Sequence, residues 1–245
     1  MRGDARSLLF PAFLALLAVA LALPILRVLV SVSPRDVVAA FSALPIRSAV
    51  AVSLLASFSS TALATLLGVP AGYALSRASP HVRAAAIFLL ALPLAFPPVA
   101  SGVMLLSLVG RGPFADTFLG VVAAEFFVSG SFVAIASAAA FAVLNPIYAD
   151  AARTLGANEW RIFTRIALPA AATNIAAGVA FAWLRAIGEY GATSIVAYHP
   201  SSLPIALYVT LSASGVHAAL ALCYGFIVLA AIVLALQWIL RRHVA

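Results

Sequence analysis

Apolar residues run along this chain in long, nearly unbroken stretches, and polar residues gather in short segments between them. The stretches fall at about 8–31, 48–75, 85–110, 118–144, 167–196 and 216–240. Each is near the ~20 residues that an α-helix needs to cross a bilayer. None shows the alternation of a half-buried strand. The pattern therefore predicts an all-α chain that crosses the membrane six times. The first stretch follows Arg2 and Arg6, as a signal peptide would. It is too long for an ordinary signal core and has no clear cleavage site after it, so a retained helix is expected.

The stretches are not smooth. Pro24, Pro70, Pro93, Pro97 and Pro98 interrupt them. Proline removes a backbone donor and kinks a helix, and in lipid the freed carbonyls must be satisfied by neighbours. The densest run, Leu92 to Pro98, reads either as a fixed kink that aids packing or as a bend that moves or lines a pathway. Small residues are plentiful at Ser57, Ser59, Ser60, Thr61, Ala62 and Ala64, and again from Ser137 to Ala140. They predict close helix–helix contact rather than a site.

Composition agrees with the pattern. The chain is 65% hydrophobic and only 9% charged, with a mean hydropathy of +1.15. A soluble domain carries about 25% charged residues. The net charge is +7, and every basic residue is arginine. The arginines lie mostly in the short polar segments, so they speak of topology and not of nucleic acid. With both termini inside, the inner segments hold Arg2, Arg6, Arg77, Arg83, Arg153, Arg161, Arg165, Arg241 and Arg242. The outer segments hold Arg35, Arg47 and Arg111, while Arg27 and Arg185 fall within spans. The asymmetry predicts a multi-pass protein of the cell membrane with cytoplasmic N- and C-termini.

The absence of lysine excludes functions. A Walker A loop needs a lysine to reach the β/γ-phosphates, and Schiff-base chemistry needs one too. The single Cys223 permits no internal disulfide. His81, His199, His217 and His243 have no metal-ligand spacing. No catalytic, cofactor-binding or metal-binding residue is assigned, and an enzyme is not expected. Any ATP and Mg would be held by another polypeptide.

The polar segment 145–169 is the most structured in pattern. Asn145-Pro146 reads as an N-cap followed by proline at the first helical position. A short helix to about Leu155 should end at Gly156 in a left-handed conformation. Asn158 should cap a second short helix with Glu159 in its first turn. Leu155, Trp160 and Phe163 are candidate anchors for a groove or for the membrane interface.

Asp150-Ala151-Ala152, Gly156 and Ile166-Ala167-Leu168-Pro169 resemble the "EAA" loop of importer-type ABC permeases, with Asp150 where that family usually has Glu. The resemblance implies a type I ABC importer-like permease with a cytoplasmic coupling helix. Asp150, Ala151, Ala152 and Gly156 would then meet a separate ATPase. A second resemblance is narrower. Arg185-Ala186-Ile187-Gly188-Glu189-Tyr190-Gly191-Ala192-Thr193 is similar to a segment of molybdate permeases. Ile195 to Pro200 and Leu203 to Tyr208 resemble the archaeal-type tungstate/molybdate permeases. Phe96 to Gly102 and Gly110-Arg111-Gly112 fit the same family, and the likeness covers about residues 50–240.

The resemblance implies one permease domain over 1–245, working as a homodimer with two ABC ATPase subunits and an extracytoplasmic oxyanion-binding protein. Pro97, Pro98, Arg185, Gly188, Glu189, Gly191 and Thr193 are the candidate translocation-pathway residues. Arg185 and Glu189 are four apart on one helix face and can simply pair, or Arg185 can attract the anion during passage. Glu125 is a costly intramembrane acid to which no role is assigned. A sulfate or other oxyanion permease, or a stand-alone secondary carrier, are the alternative readings.

Overall fold

The computed structural model describes the backbone of residues 9–110 and 112–244, with side chains to residue 239. Arg2, Arg6 and Arg111, and the side chains of Arg241, Arg242 and His243, lie outside the described residues. The chain is almost wholly helical: α1 (Leu9–Ser31), α2 (Pro34–Ser42), α3 (Leu44–Arg77), α4 (Pro80–Ala95), α5 (Pro98–Val109), α6 (Phe118–Ala142), α7 (Ile147–Thr154), α8 (Glu159–Ile162), α9 (Leu168–Ile187), α10 (Gly191–Val196) and α11 (Leu203–Val244). Among the described residues, five helical stretches are long and apolar enough to cross a membrane, the last of them kinked at Gly215. α4 and α5 make a sixth crossing if taken together, bent by 106°. The multi-pass expectation holds.

Three spans differ in form from the sequence reading. The expected third span, 85–110, is not one helix. Phe96 is extended at φ −81°, ψ 143°, and α5 restarts with Pro98 in its first turn. A residue before proline is pushed out of the helical region, and two successive prolines offer no backbone donors, so the helix cannot pass through. The expected fifth span, 167–196, is interrupted between Ile187 and Gly191. The expected sixth, 216–240, lies beyond a break at Gly215, whose φ of 81° is in the left-handed region, and a further helical stretch starting at Leu203 precedes it. Helix α2 also occupies what reads as an outer loop. The Ser33 hydroxyl accepts the Asp36 amide at 3.2 Å, with Pro34 opening the helix.

The core is built by close approach of backbones. A Cβ on Gly72 of α3 would stand 2.6 Å from Ser137 Cβ and 2.7 Å from the Ala138 nitrogen of α6. One on Gly178 of α9 would meet Ala136 Cβ at 2.4 Å. Ser57, Ser60, Thr61, Ala64, Ser137, Ala138 and Ala140 are buried in these seams, as the small-residue reading expects. Ser59, Ala62 and Ala139 point outward instead. At the opposite end of the bundle, the Asp116 amide donates to the Val196 carbonyl at 2.9 Å, and its carboxylate accepts the His199 amide at 2.6 Å. This fixes the loop before α6 against the end of α10.

Candidate functional site

The loop between α6 and α9 folds as its residues dictate. The Asn145 side chain accepts the Ile147 amide at 3.0 Å, but α7 begins at Ile147 with Pro146, not Asn145, at the N-cap. α7 closes on Gly156, at φ +78°. The Ala157 amide reaches back to the Ala152 carbonyl at 3.0 Å, and the Gly156 amide to the Arg153 carbonyl at 2.9 Å. That pair of bonds is the Schellman arrangement, which needs a left-handed residue at the position Gly156 holds. Asn158 then accepts the Arg161 amide at 2.9 Å and opens α8. The segment is helix, glycine turn, helix, as expected.

Its charges are tied together. Arg153 Nη1 donates to Asp150 Oδ1 at 2.6 Å, and Arg153 Nε to Glu159 Oε1 at 2.7 Å. Hydrogen bonding to Glu159, reinforced by Asp150, raises the Arg153 pKa above the ordinary arginine value, so the cation is permanent. The proximity of Asp150 to Arg153 and the Glu159–Arg153 contact were not foreseen. Glu159, read only as a first-turn acid, bridges the two short helices.

The outer surface of the loop carries exposed apolar residues among these charges. Ile147, Tyr148, Leu155 and Trp160 are exposed, Leu155 at 87%. Ala151 is exposed and Ala152 partly so. Phe163 departs from the expectation of an exposed anchor. It is 7% exposed and stacks near Tyr73 and Phe141, with ring centroids 5.0 and 6.1 Å away. The cause is the π-helical turn Phe163–Ala167, which joins α8 to α9 and breaks the ordinary helical phase. Behind the loop lies a cleft of ≈ 280 Å³, lined in part by Tyr73, Arg77, Phe141, Asn145 and Tyr148.

The second set of candidate residues lies within the bundle. Pro97 and Pro98 form the α4–α5 bend. Gly188, Glu189 and Tyr190 form the break between α9 and α10. The fold brings bend and break into contact. A Cβ on Gly191 would stand 2.7 Å from Pro98 Cβ and 3.0 Å from the Val99 nitrogen, and one on Gly102 would stand 2.9 Å from Ala192 Cα. Gly188, by contrast, has φ −89° and open space around it apart from the Leu184 carbonyl at 3.6 Å.

Glu189 is 2% exposed. Arg185 Nη1 donates to one of its oxygens at 2.5 Å, and the Ala192 amide to the other at 2.7 Å. The carboxylate therefore caps the start of α10 and neutralises Arg185. Pairing is what the described geometry contains. Thr193 is fully buried, and its hydroxyl, like that of Ser101 in α5, has no hydrogen-bond partner among the described residues. Glu125 of α6 is 1% exposed and lies 3.1 Å from the Ser60 hydroxyl, with no ion-pair partner among the described residues. Ser53, whose hydroxyl accepts the Leu203 amide at 2.7 Å and so seats the start of α11 on α3, carried no signal in the sequence.

Comparison with known proteins places this architecture. Residues 64–244 match the family described as binding-protein-dependent transport system inner membrane component. A probable molybdenum ABC transporter permease protein of Haloferax volcanii is 38% identical over 175 residues, covering 68% of this chain and 65% of that protein. A molybdate/tungstate transport system permease protein of Thermococcus kodakarensis is 35% identical over 191 residues, 78% of this chain and 77% of that protein. A sulfate transport system permease protein of Synechocystis is 31% identical over 219 residues, 80% of this chain and 77% of that protein. Among solved structures, a bacterial ABC transporter involved in the import of the acidic polysaccharide alginate superposes with a TM-score of 0.68 at 21% identity. The match covers 97% of this chain and 96% of that one. The helix order and the loop between α6 and α9 thus sit in a known permease fold, and the chain belongs to the binding-protein-dependent transport system inner membrane components and, within them, to the molybdate/tungstate permease family.

Proposed function

We propose that this chain is the membrane-spanning subunit of an ATP-driven importer of molybdate and tungstate. The observation that carries the reading is the α6–α9 loop. It projects two short helices joined at Gly156, with Ile147, Leu155 and Trp160 exposed on them. Such a surface suits docking in a groove of another protein. That partner is a separate ABC ATPase, which binds ATP and Mg, and Asp150, Ala151, Ala152 and Gly156 form the contact. One loop per chain calls for a homodimer on two ATPase subunits. The family's dependence on a binding protein supports an extracytoplasmic receptor that delivers the oxyanion. Both termini, in this reading, are cytoplasmic.

The substrate assignment rests on the relatives' names. The pathway follows the junction of the Pro97-Pro98 bend with the Gly188–Thr193 break. Two elements that interrupt their own helices there can shift against each other without unwinding a continuous span. A path with few fixed charges suits a dianion that must leave quickly. The sulfate permease relative favours sulfate as the second reading.

The test is reconstitution of the chain with its ATPase and receptor in liposomes, followed by uptake of each anion. ATP-dependent uptake of molybdate or tungstate is expected. Uptake of sulfate alone would overturn the substrate, and uptake without the ATPase would favour a stand-alone carrier. In the same assay, Arg185→Ala is expected to cut uptake by roughly tenfold or more, because it leaves the buried Glu189 carboxylate without its cation. If Arg185→Ala/Glu189→Ala restores uptake, the pair is structural. If the double variant stays inactive, Arg185 serves the anion.

A further inference from the structure

Arg153 begins a series of contacts that leads from the loop into the bundle. It holds Asp150 on α7 and Glu159 on α8, across the Gly156 turn. The other oxygen of Glu159 accepts the Tyr73 hydroxyl at 3.3 Å. Tyr73 belongs to the end of α3, far away in sequence. Its ring packs against Phe141 of α6 at 5.2 Å and Phe163 of the π-helical turn at 5.0 Å. The Arg77 guanidinium covers the same ring at 4.5 Å.

Two observations say what this series is for. First, α7 is otherwise loosely held, since Ala149 is its one buried residue. Second, the ion pairs are exposed, with Arg153 at 38% and Glu159 at 58%. Exposed pairs add little to stability, so folding alone does not account for a bidentate arrangement that ends on a third helix. What the arrangement does fix is the angle of α7 to α8 and the attachment of both to α3.

We propose that Arg153 and Glu159 are positioning residues that tie α7 to the inner end of α3, so that displacement of α7 by a docked protein is passed to α3 and α6 instead of being absorbed at the Gly156 turn. This rests on the reading of the loop as the surface that receives motion from an ATPase. The two residues touch neither nucleotide nor anion; they act through Tyr73 and its aromatic neighbours.

The experiment uses the full complex in liposomes and reads molybdate taken up per ATP hydrolysed, alongside co-purification of the ATPase. Arg153→Glu and Glu159→Arg are each expected to lower uptake per ATP by roughly tenfold while the ATPase still co-purifies and hydrolyses ATP, since an exposed pair contributes little to folding. Arg153→Glu/Glu159→Arg is expected to return the ratio to within about threefold of the parent, because the swapped pair restores the link. Tyr73→Phe is expected to lower the ratio in the same direction by a smaller factor. Single variants with the parental ratio, or a double swap as defective as its parents, would overturn the proposal. Uptake by the unaltered complex without ATP would overturn the underlying reading before any variant is compared.

Discussion

Replacing Gly156 by Asp is expected to abolish ATP-dependent uptake while leaving the chain inserted in the membrane. Gly156 holds φ +78° with no heavy atom within 4 Å of where a Cβ would stand. The cost is therefore conformational and not steric, about 1 kcal/mol for leaving the residue left-handed with a side chain. That is too little to unfold a bundle whose seams lie elsewhere. It is enough to loosen the two bonds that close α7, and the new carboxylate adds a negative charge to the loop's exposed surface. Gly156→Asn separates the two effects, because Asn tolerates the left-handed region and brings no charge. Asn is expected to retain most uptake, and Asp to retain the protein in the membrane but not its transport. Equal and normal uptake by both variants would remove the loop from the coupling role. Membrane yield and uptake, measured side by side, decide it.

The second large effect is expected at Gly191. A Cβ there collides with Pro98 and with the Val99 backbone, at 2.7 and 3.0 Å. Backbone cannot swing aside as a side chain can, so α5 and α10 must part. Gly191→Val is expected to cost about 3 kcal/mol or more, at the upper end for overpacking a tight core, and to lower the melting temperature of the detergent-solubilised chain along with uptake. Gly188→Ala, three residues away, is expected to be nearly neutral. Its φ of −89° suits any residue, and its nearest contact is 3.6 Å. The sequence offers these two glycines as equals. Thermal unfolding of the two variants in one detergent tests the distinction. A Gly191→Val chain as stable as the parent would mean that the α5–α10 contact is not tight.

The sequence carries the spans well, because long apolar runs leave few alternatives in lipid. It also carries the caps at Gly156 and Asn158 and the bond from the Ile147 amide to Asn145, which act over six residues or fewer. The Pro97-Pro98 interruption is visible in it, but the 106° bend is not. Proline says where a helix stops; the packing of α5 on α10 says where the chain goes next. The helical stretch that starts at Leu203 lies outside the expected span, although Pro204 near its start is favourable. Helix α2 has a local signal in Ser33-Pro34-Arg35-Asp36, a cap residue followed by proline and an acid, that the sequence reading leaves unused. The Tyr73–Glu159 contact could not be read at all. It joins residues 86 positions apart, and nothing local in either marks the other.

Phe163 failed for a different reason, and that reason has a wider bearing. From Glu159 to Ile187 the chain is one unbroken rod, with the π-helical turn at Phe163–Ala167 set within it. Such a turn holds one residue more than an α-helical turn, and each residue of an α-helix advances the azimuth by about 100°. Five residues in the π turn therefore cover about the rotation of four in an α-helix, and the extra residue is absorbed without turning the loop against the span. Removing one residue from the turn would let the hydrogen bonds close as ordinary α-helix and would keep the rod nearly as long. Such a deletion would leave α7, Asp150 and the exposed Leu155 facing as they do, whereas removing one residue from the α-helical part of α9 would swing them about 100° around its axis.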